Sequence, residues 1–84
     1  MLIPLQVRAA RGLVSWSQTQ LAKAAQVSLS TVRDFEKGRR TPFANNLAAL
    51  RSALEAAGVE FIPENGGGPG VRLRRRLKAP PKPR

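Results

Sequence analysis

Residues 28–40, SLSTVRDFEKGRR, place a hydroxyl, a guanidinium, a carboxylate and an ammonium within a few turns of a possible helix. At 100° per residue, Leu29, Ser30, Arg33, Asp34 and Lys37 share a sector roughly 140° wide, and Val32 and Phe35 project from the opposite side. This is the chemistry of recognition. Ser30 donates or accepts, the Arg33 fork matches the two acceptors of a guanine edge, Asp34 accepts from a cytosine amino group, and Leu29 fits a thymine methyl. A helix fits the DNA major groove, with its N-terminal residues nearest the bases. Asp34 beside phosphates is costly without a donor or a basic neighbour, so it either reads cytosine or orients Arg33 and Lys37.

Composition leaves little room for other chemistry. The chain has no histidine and no cysteine, which removes the usual general base, thiol nucleophiles, zinc sites and disulfides. No enzyme, metal or cofactor is therefore expected. The balance of 15 Lys+Arg against 5 Asp+Glu, net +10, points to a polyanionic partner. It is uneven: residues 1–71 hold 8 basic and 5 acidic residues (+3), and residues 72–84 hold 7 basic and no acidic residues (+7). MLIPLQVRAARGL lacks the basic and long apolar regions of an export signal, and no apolar run spans a bilayer. The expectation is a cytoplasmic, nucleoid-associated protein with no membrane partner.

Four helical segments must position those residues. Pro4 suits the first position of a helix whose stripe is Ile3, Val7, Ala10 and Val14. Ser17 is an N-cap with Gln20 completing a capping box and Trp16 stapled on Leu21, and this second helix runs through about Ala25. Ser28 caps the third, Val27 and Val32 form its staple, and Gly38 stops it. Only Ala25 to Val27 link the second and third helices, which predicts a steep crossing of roughly 90 to 120°, a helix-turn-helix. A fourth helix is predicted over about 46–57, with Leu47, Leu50, Leu54 and Ala57 as its stripe, Asn45 or Ala44 near its cap and Gly58 beyond its end.

After Gly58 the period changes to two. VEFIP (59–63) and VRLR (71–74) flank ENGGGPG and read as a short β-hairpin. A lone hairpin is marginal in water, so it must dock on the helices or pair with a second copy, and the second is preferred. The predicted organisation is a helix-turn-helix bundle over 1–58, a hairpin over 59–74 that is a possible dimerisation element, and a disordered basic Pro-rich tail over 75–84. Around the reading face, Gln18 at a helix N-terminus is a natural phosphate clamp. Ser28, Lys37, Arg39 and Arg40 extend that grip, with solubilising surface as the plainer reading of each.

The stretch WSQTQLAKAAQVSLSTVRDFEKGRRTP (16–42), with its Ser-Gln helix opening, Leu21-Ala22, Val27-Ser28 and Glu36-x-Gly38 followed by Pro42, resembles the lambda-repressor-like, or Xre-type, helix-turn-helix family. The resemblance extends over residues 5–57. It implies a mainly α, compact bundle of four or five helices, usually dimeric, that binds duplex DNA at an inverted repeat. By position it implies base contacts from Leu29, Ser30, Arg33 and Asp34, a phosphate contact from Gln18, and a structural ion pair between Arg11 and Glu36. Two positions depart from the family. Gln26 stands where glycine is frequent, at a cost of roughly 1 kcal/mol if its φ is positive, and Leu29 is apolar where the family is commonly polar.

The function expected is a sequence-specific transcriptional regulator, a dimeric repressor whose half-sites lie about 34 Å apart. The alternatives are a DNA-binding antitoxin or adaptor that holds a toxin or other protein partner, and a non-specific nucleic-acid chaperone acting through the tail. Too few residues remain for a separate small-molecule domain.

Overall fold

The computed structural model describes residues 2–64 and 66–74, so the predicted tail over 75–84 lies outside the described residues. Four helices precede two strands: α1 (Pro4–Val14), α2 (Gln18–Ala25), α3 (Leu29–Glu36), α4 (Ala44–Ala56), β1 (Val59–Ile62) and β2 (Gly70–Leu73). Each helix contributes the apolar residues that its periodicity selects. Val7 and Ala10 from α1, Leu21, Ala22 and Ala25 from α2, Val32 and Phe35 from α3, and Leu50 and Leu54 from α4 close around one core. Truncating any of the fully buried leucines would cost about 2–5 kcal/mol.

The starts of α2 and α3 follow their capping residues. Ser17 Oγ accepts from the Gln20 amide at 3.0 Å, and Gln20 Oε1 accepts from the Ser17 amide at 2.7 Å, a complete capping box. Ser28 Oγ likewise accepts from the Thr31 amide at 3.1 Å. The fourth helix begins earlier than the leucine stripe suggests, at Ala44 behind Phe43, which has no side-chain acceptor. Its first turn carries no core residue, so neither periodicity nor a polar cap marks it.

The first three helices end in the same way. In each, one amide bonds back five residues and the preceding amide bonds back three: Trp16 to Arg11 and Ser15 to Gly12, Val27 to Ala22 and Gln26 to Lys23, Arg39 to Asp34 and Gly38 to Phe35. These are Schellman closures, which need a left-handed residue just past the helix. Ser15 (φ 58°), Gln26 (φ 58°) and Gly38 (φ +73°) occupy it. Only the third can do so without the Cβ penalty.

The strands pair antiparallel, Val59 with Leu73, Glu60 with Arg72, Phe61 with Val71 and Ile62 with Gly70, so the second strand begins one residue before the predicted VRLR. Val59 and Phe61 turn inward onto the helices. The hairpin therefore docks on its own bundle, with α4 against β1 and α1 against β2. Buried Gln6 fastens it: Oε1 accepts from the Ile3 amide at 3.0 Å, and Nε2 donates to the Gly70 carbonyl at 3.1 Å. Arg51 lies 5.3 Å from the centre of the Phe61 ring and adds a cation–π contact. On the outer face Arg72 bonds Glu60 at 3.2 Å, which holds that carboxyl below its ordinary range.

The left-handed positions give a stability test. A Cβ on Gly38 meets no atom within 4 Å, so Gly38→Ala costs only the backbone strain of a positive φ, about 1 kcal/mol of stability. Gln26→Gly relieves the same strain and gains up to about 1 kcal/mol, less what the freer unfolded chain takes back. Thermal unfolding should move in opposite directions for the two variants, by about 4–8 °C per kcal/mol in a domain of this size.

Candidate nucleic-acid interface

The exposed face of α3 rests on what fixes its back. Val32 and Phe35 enter the core, and Glu36, 7% exposed, joins them as a buried carboxylate. Its charge is met from two helices. Arg11 forks onto it, Nε to Oε2 at 2.6 Å and Nη2 to Oε1 at 2.8 Å, and Gln18 Nε2 donates to Oε1 at 3.0 Å. The remaining arm of Arg11 donates to the Trp16 carbonyl at 3.0 Å. Glu36 holds the Arg11 guanidinium above its ordinary pKa, against the opposing effect of burial. A buried charge with these partners is tolerated, and one without them is strongly destabilising.

With that side anchored, Ser30, Arg33 and Lys37 are exposed along α3, and Arg39 and Arg40 continue the exposed basic surface beyond it. Asp34 is half-buried. Leu29 differs from its predicted outward position: it is half-buried and packs against the core. As the first helical residue its side chain leans back over the preceding turn, where an apolar group covers the core. Ser28 and Ser30 are tied into a hydroxyl cluster, Ser28 Oγ lying 3.1 Å from Ser30 Oγ and 2.7 Å from Thr31 Oγ1.

Gln18 is also placed differently from a free clamp, because its side-chain amide is held by Glu36. The main chain beside it is available: among the described residues, the Gln18 and Thr19 amides in the first turn of α2 have no hydrogen-bond acceptor. Amides of this kind, at the positive end of a helix, suit a phosphate.

The electrostatics are selective. The three ion pairs among the described residues join Arg11 to Glu36, Arg51 to Glu55 and Arg72 to Glu60. None of Arg33, Lys37, Arg39 or Arg40 is among them. Glu36, Glu55 and Glu60 are thus paired elsewhere, and among the described residues the cations of α3 and the following turn form no ion pair, with Asp34 the one acid on their side.

Sequence reasoning passed over one feature here. Ser30, Thr31 and Asp34 share a cleft of about 220 Å³ with Arg40, Thr41, Pro42, Phe43 and Asn46. Phe43, 82% exposed, belongs to no helical stripe. That lack of a periodic partner was its one legible signal. No helix among the described residues is long and apolar enough to cross a membrane, and they hold no cluster of metal-ligating residues.

A helix-turn-helix family model matches residues 7–60, more than half of the chain and all of the network just described. No curated protein matches the chain.

The ion pair can be tested by a double-mutant cycle. Arg11→Met leaves the Glu36 charge buried without its fork and should cost about 3–5 kcal/mol of stability in urea unfolding. Adding Glu36→Leu should recover most of that loss, since replacing both partners by apolar groups removes the uncompensated charge.

Proposed function

The chain belongs to the helix-turn-helix family of Xre-type, lambda-repressor-like proteins, and on that premise we propose that it is a dimeric repressor reading an inverted repeat through α3. In its coarser form, the conclusion is that it is a DNA-binding transcription regulator, as that family is. The finer reading rests on the asymmetry of charge: among the described residues Arg33, Lys37, Arg39 and Arg40 form no ion pair around the exposed side of α3, and its inner side is locked by Glu36.

Each residue then has a role. Arg33 and Ser30 read base edges in the major groove, and Arg33 is the guanine reader. Asp34, half-buried in the cleft with Arg40, accepts from a cytosine amino group. Leu29 offers only the rim of its side chain to a thymine methyl. Lys37, Arg39 and Arg40 take phosphates, as do the open amides of Gln18 and Thr19, and Ser28 presents its hydroxyl at the same edge. Phosphate contacts set affinity and register, and base contacts set sequence. Glu36 and Arg11 orient the helix without touching DNA.

Selection of bound duplexes from a random library near physiological salt should enrich an inverted repeat, and failure to enrich any sequence overturns this reading. On the enriched duplex, Arg33→Ala should weaken binding about 10- to 100-fold and relax preference at one base pair of each half-site. Lys37→Ala should instead weaken all sequences alike. It should also reduce the slope of log K against log salt, about −5 to −9 for about 6 to 10 phosphate contacts, by about 1 for each copy that loses its contact.

A further inference from the structure

The hairpin is docked on one side only. Arg74 donates its amide to the Gly58 carbonyl at 2.7 Å, so residues 58 and 74 face each other. By the two-residue alternation of an antiparallel ladder, 60 with 72 and 62 with 70 do the same. The amides and carbonyls of Val71 and Leu73 must then point away from β1. Among the described residues, no hydrogen bond outside the hairpin ladder reaches them. Their counterparts on β1 belong to Val59 and Phe61, which are 0% and 7% exposed, whereas Val71 and Leu73 are half-exposed. The accessible edge of the sheet is β2.

Beneath that edge lies α1, and α4 lies under β1. Gln6 reaches up from α1 to β2, and Arg11 reaches to α3 on the other flank. On a helical wheel the side beyond Gln6, turned away from the buried Val7 and Ala10, carries Leu5, Ala9 and Leu13. Leu5 is 66% and Leu13 37% exposed. Among the described residues, an unpartnered apolar helix face thus continues into an unpaired strand edge.

We propose that a second copy of this chain covers both, its β2 pairing antiparallel with β2 about a two-fold axis at Val71, so that two hairpins form one four-stranded sheet. The inference rests on the dimeric reading above and names its surface. A self-complementary patch of this kind is what a two-fold dimer requires. The arginines select the register. Centred on Val71, each Arg72 stands opposite Gly70 of the second copy, which has no side chain to oppose it. Centred on Arg72 or on Leu73, the strands would set arginine against arginine, which is destabilising. Basic residues at a short edge normally discourage pairing, and of the registers centred on Val71, Arg72 or Leu73 they leave the first open. Arg72 also arrives paired to Glu60, and antiparallel pairing sends the two Arg74 ends in opposite directions. On the inner face the two α1 helices meet through Leu5, Ala9 and Leu13.

The chain has no cysteine, so a single introduced thiol reports the register. Val71→Cys in the full chain, treated with diamide and run without reductant, should give a disulfide-linked dimer, since the two Cα atoms would lie about 5.5 Å apart, within bonding range. Leu73→Cys should remain monomeric, its two copies lying roughly 13 Å apart along the strands. Leu5→Asp, at an exposed position that the folded monomer does not need, should weaken the dimer at least about tenfold in sedimentation equilibrium. Cross-linking at 73 in preference to 71, at neither position, or an unchanged dimer in Leu5→Asp overturns the proposal. A chain that still enriches a DNA sequence in that event keeps its function and loses only this surface.

Discussion

A single buried carboxylate, Glu36, holds the orientation of α3 against the rest of the molecule. Among the described residues it is the only group through which α1, the start of α2 and the end of α3 are joined by charge, and each of its oxygens is used. Without it, α3 would be attached through the apolar side chains of Leu29, Val32 and Phe35, contacts that resist separation but resist rotation poorly. The fork of Arg11 adds direction, because a bidentate guanidinium–carboxylate pair has a preferred plane. Rotation of α3 by a few tens of degrees would turn Arg33 toward the flank, so the ion pair and the exposed face of α3 are one mechanical unit.

The second constraint is the chain reversal between helices. Three successive Schellman closures end the first three helices, and the first two place the next capping residue two positions after the left-handed one: Ser17 after Ser15, and Ser28 after Gln26. The compactness of the helix-turn-helix follows from this repeat of stop and start signals. The apolar residues between them, Trp16 and Val27, pack on the core and prevent the turn from opening.

Much of this could be read from residue order because it is local. Ser17 with Gln20, Ser28 with Thr31 and Gly38 act within four residues, where physical rules are sharp. The core stripes were legible for the same reason. What escaped depended on distance or on silence. Gln6 and Gly70 meet across 64 positions, and nothing about a glutamine in a helix announces a strand carbonyl. Ser15 adopts a left-handed conformation that serine does not signal. The start of α4 has no polar cap to mark it, and Phe43 sits outside every periodic pattern. Leu29 was placed by angle alone, which ignores the backward lean of a first-turn side chain. The pairing of Arg11 with Glu36 came from family likeness, since a separation of 25 residues has no local meaning.

The two sides of α3 have different dependencies, and this bears on how such a molecule can change over generations. Ser30, Arg33 and Lys37 are exposed, so under the reading proposed above exchanges there would alter the target at little cost to the fold. Val32, Phe35 and Glu36 cannot vary so freely. Meanwhile Ser15 and Gln26 hold strained backbone that one substitution to glycine would relax. The fold thus carries latent headroom in its turns that could offset costlier exchanges elsewhere, so the scaffold can stay put while the exposed side of α3 changes.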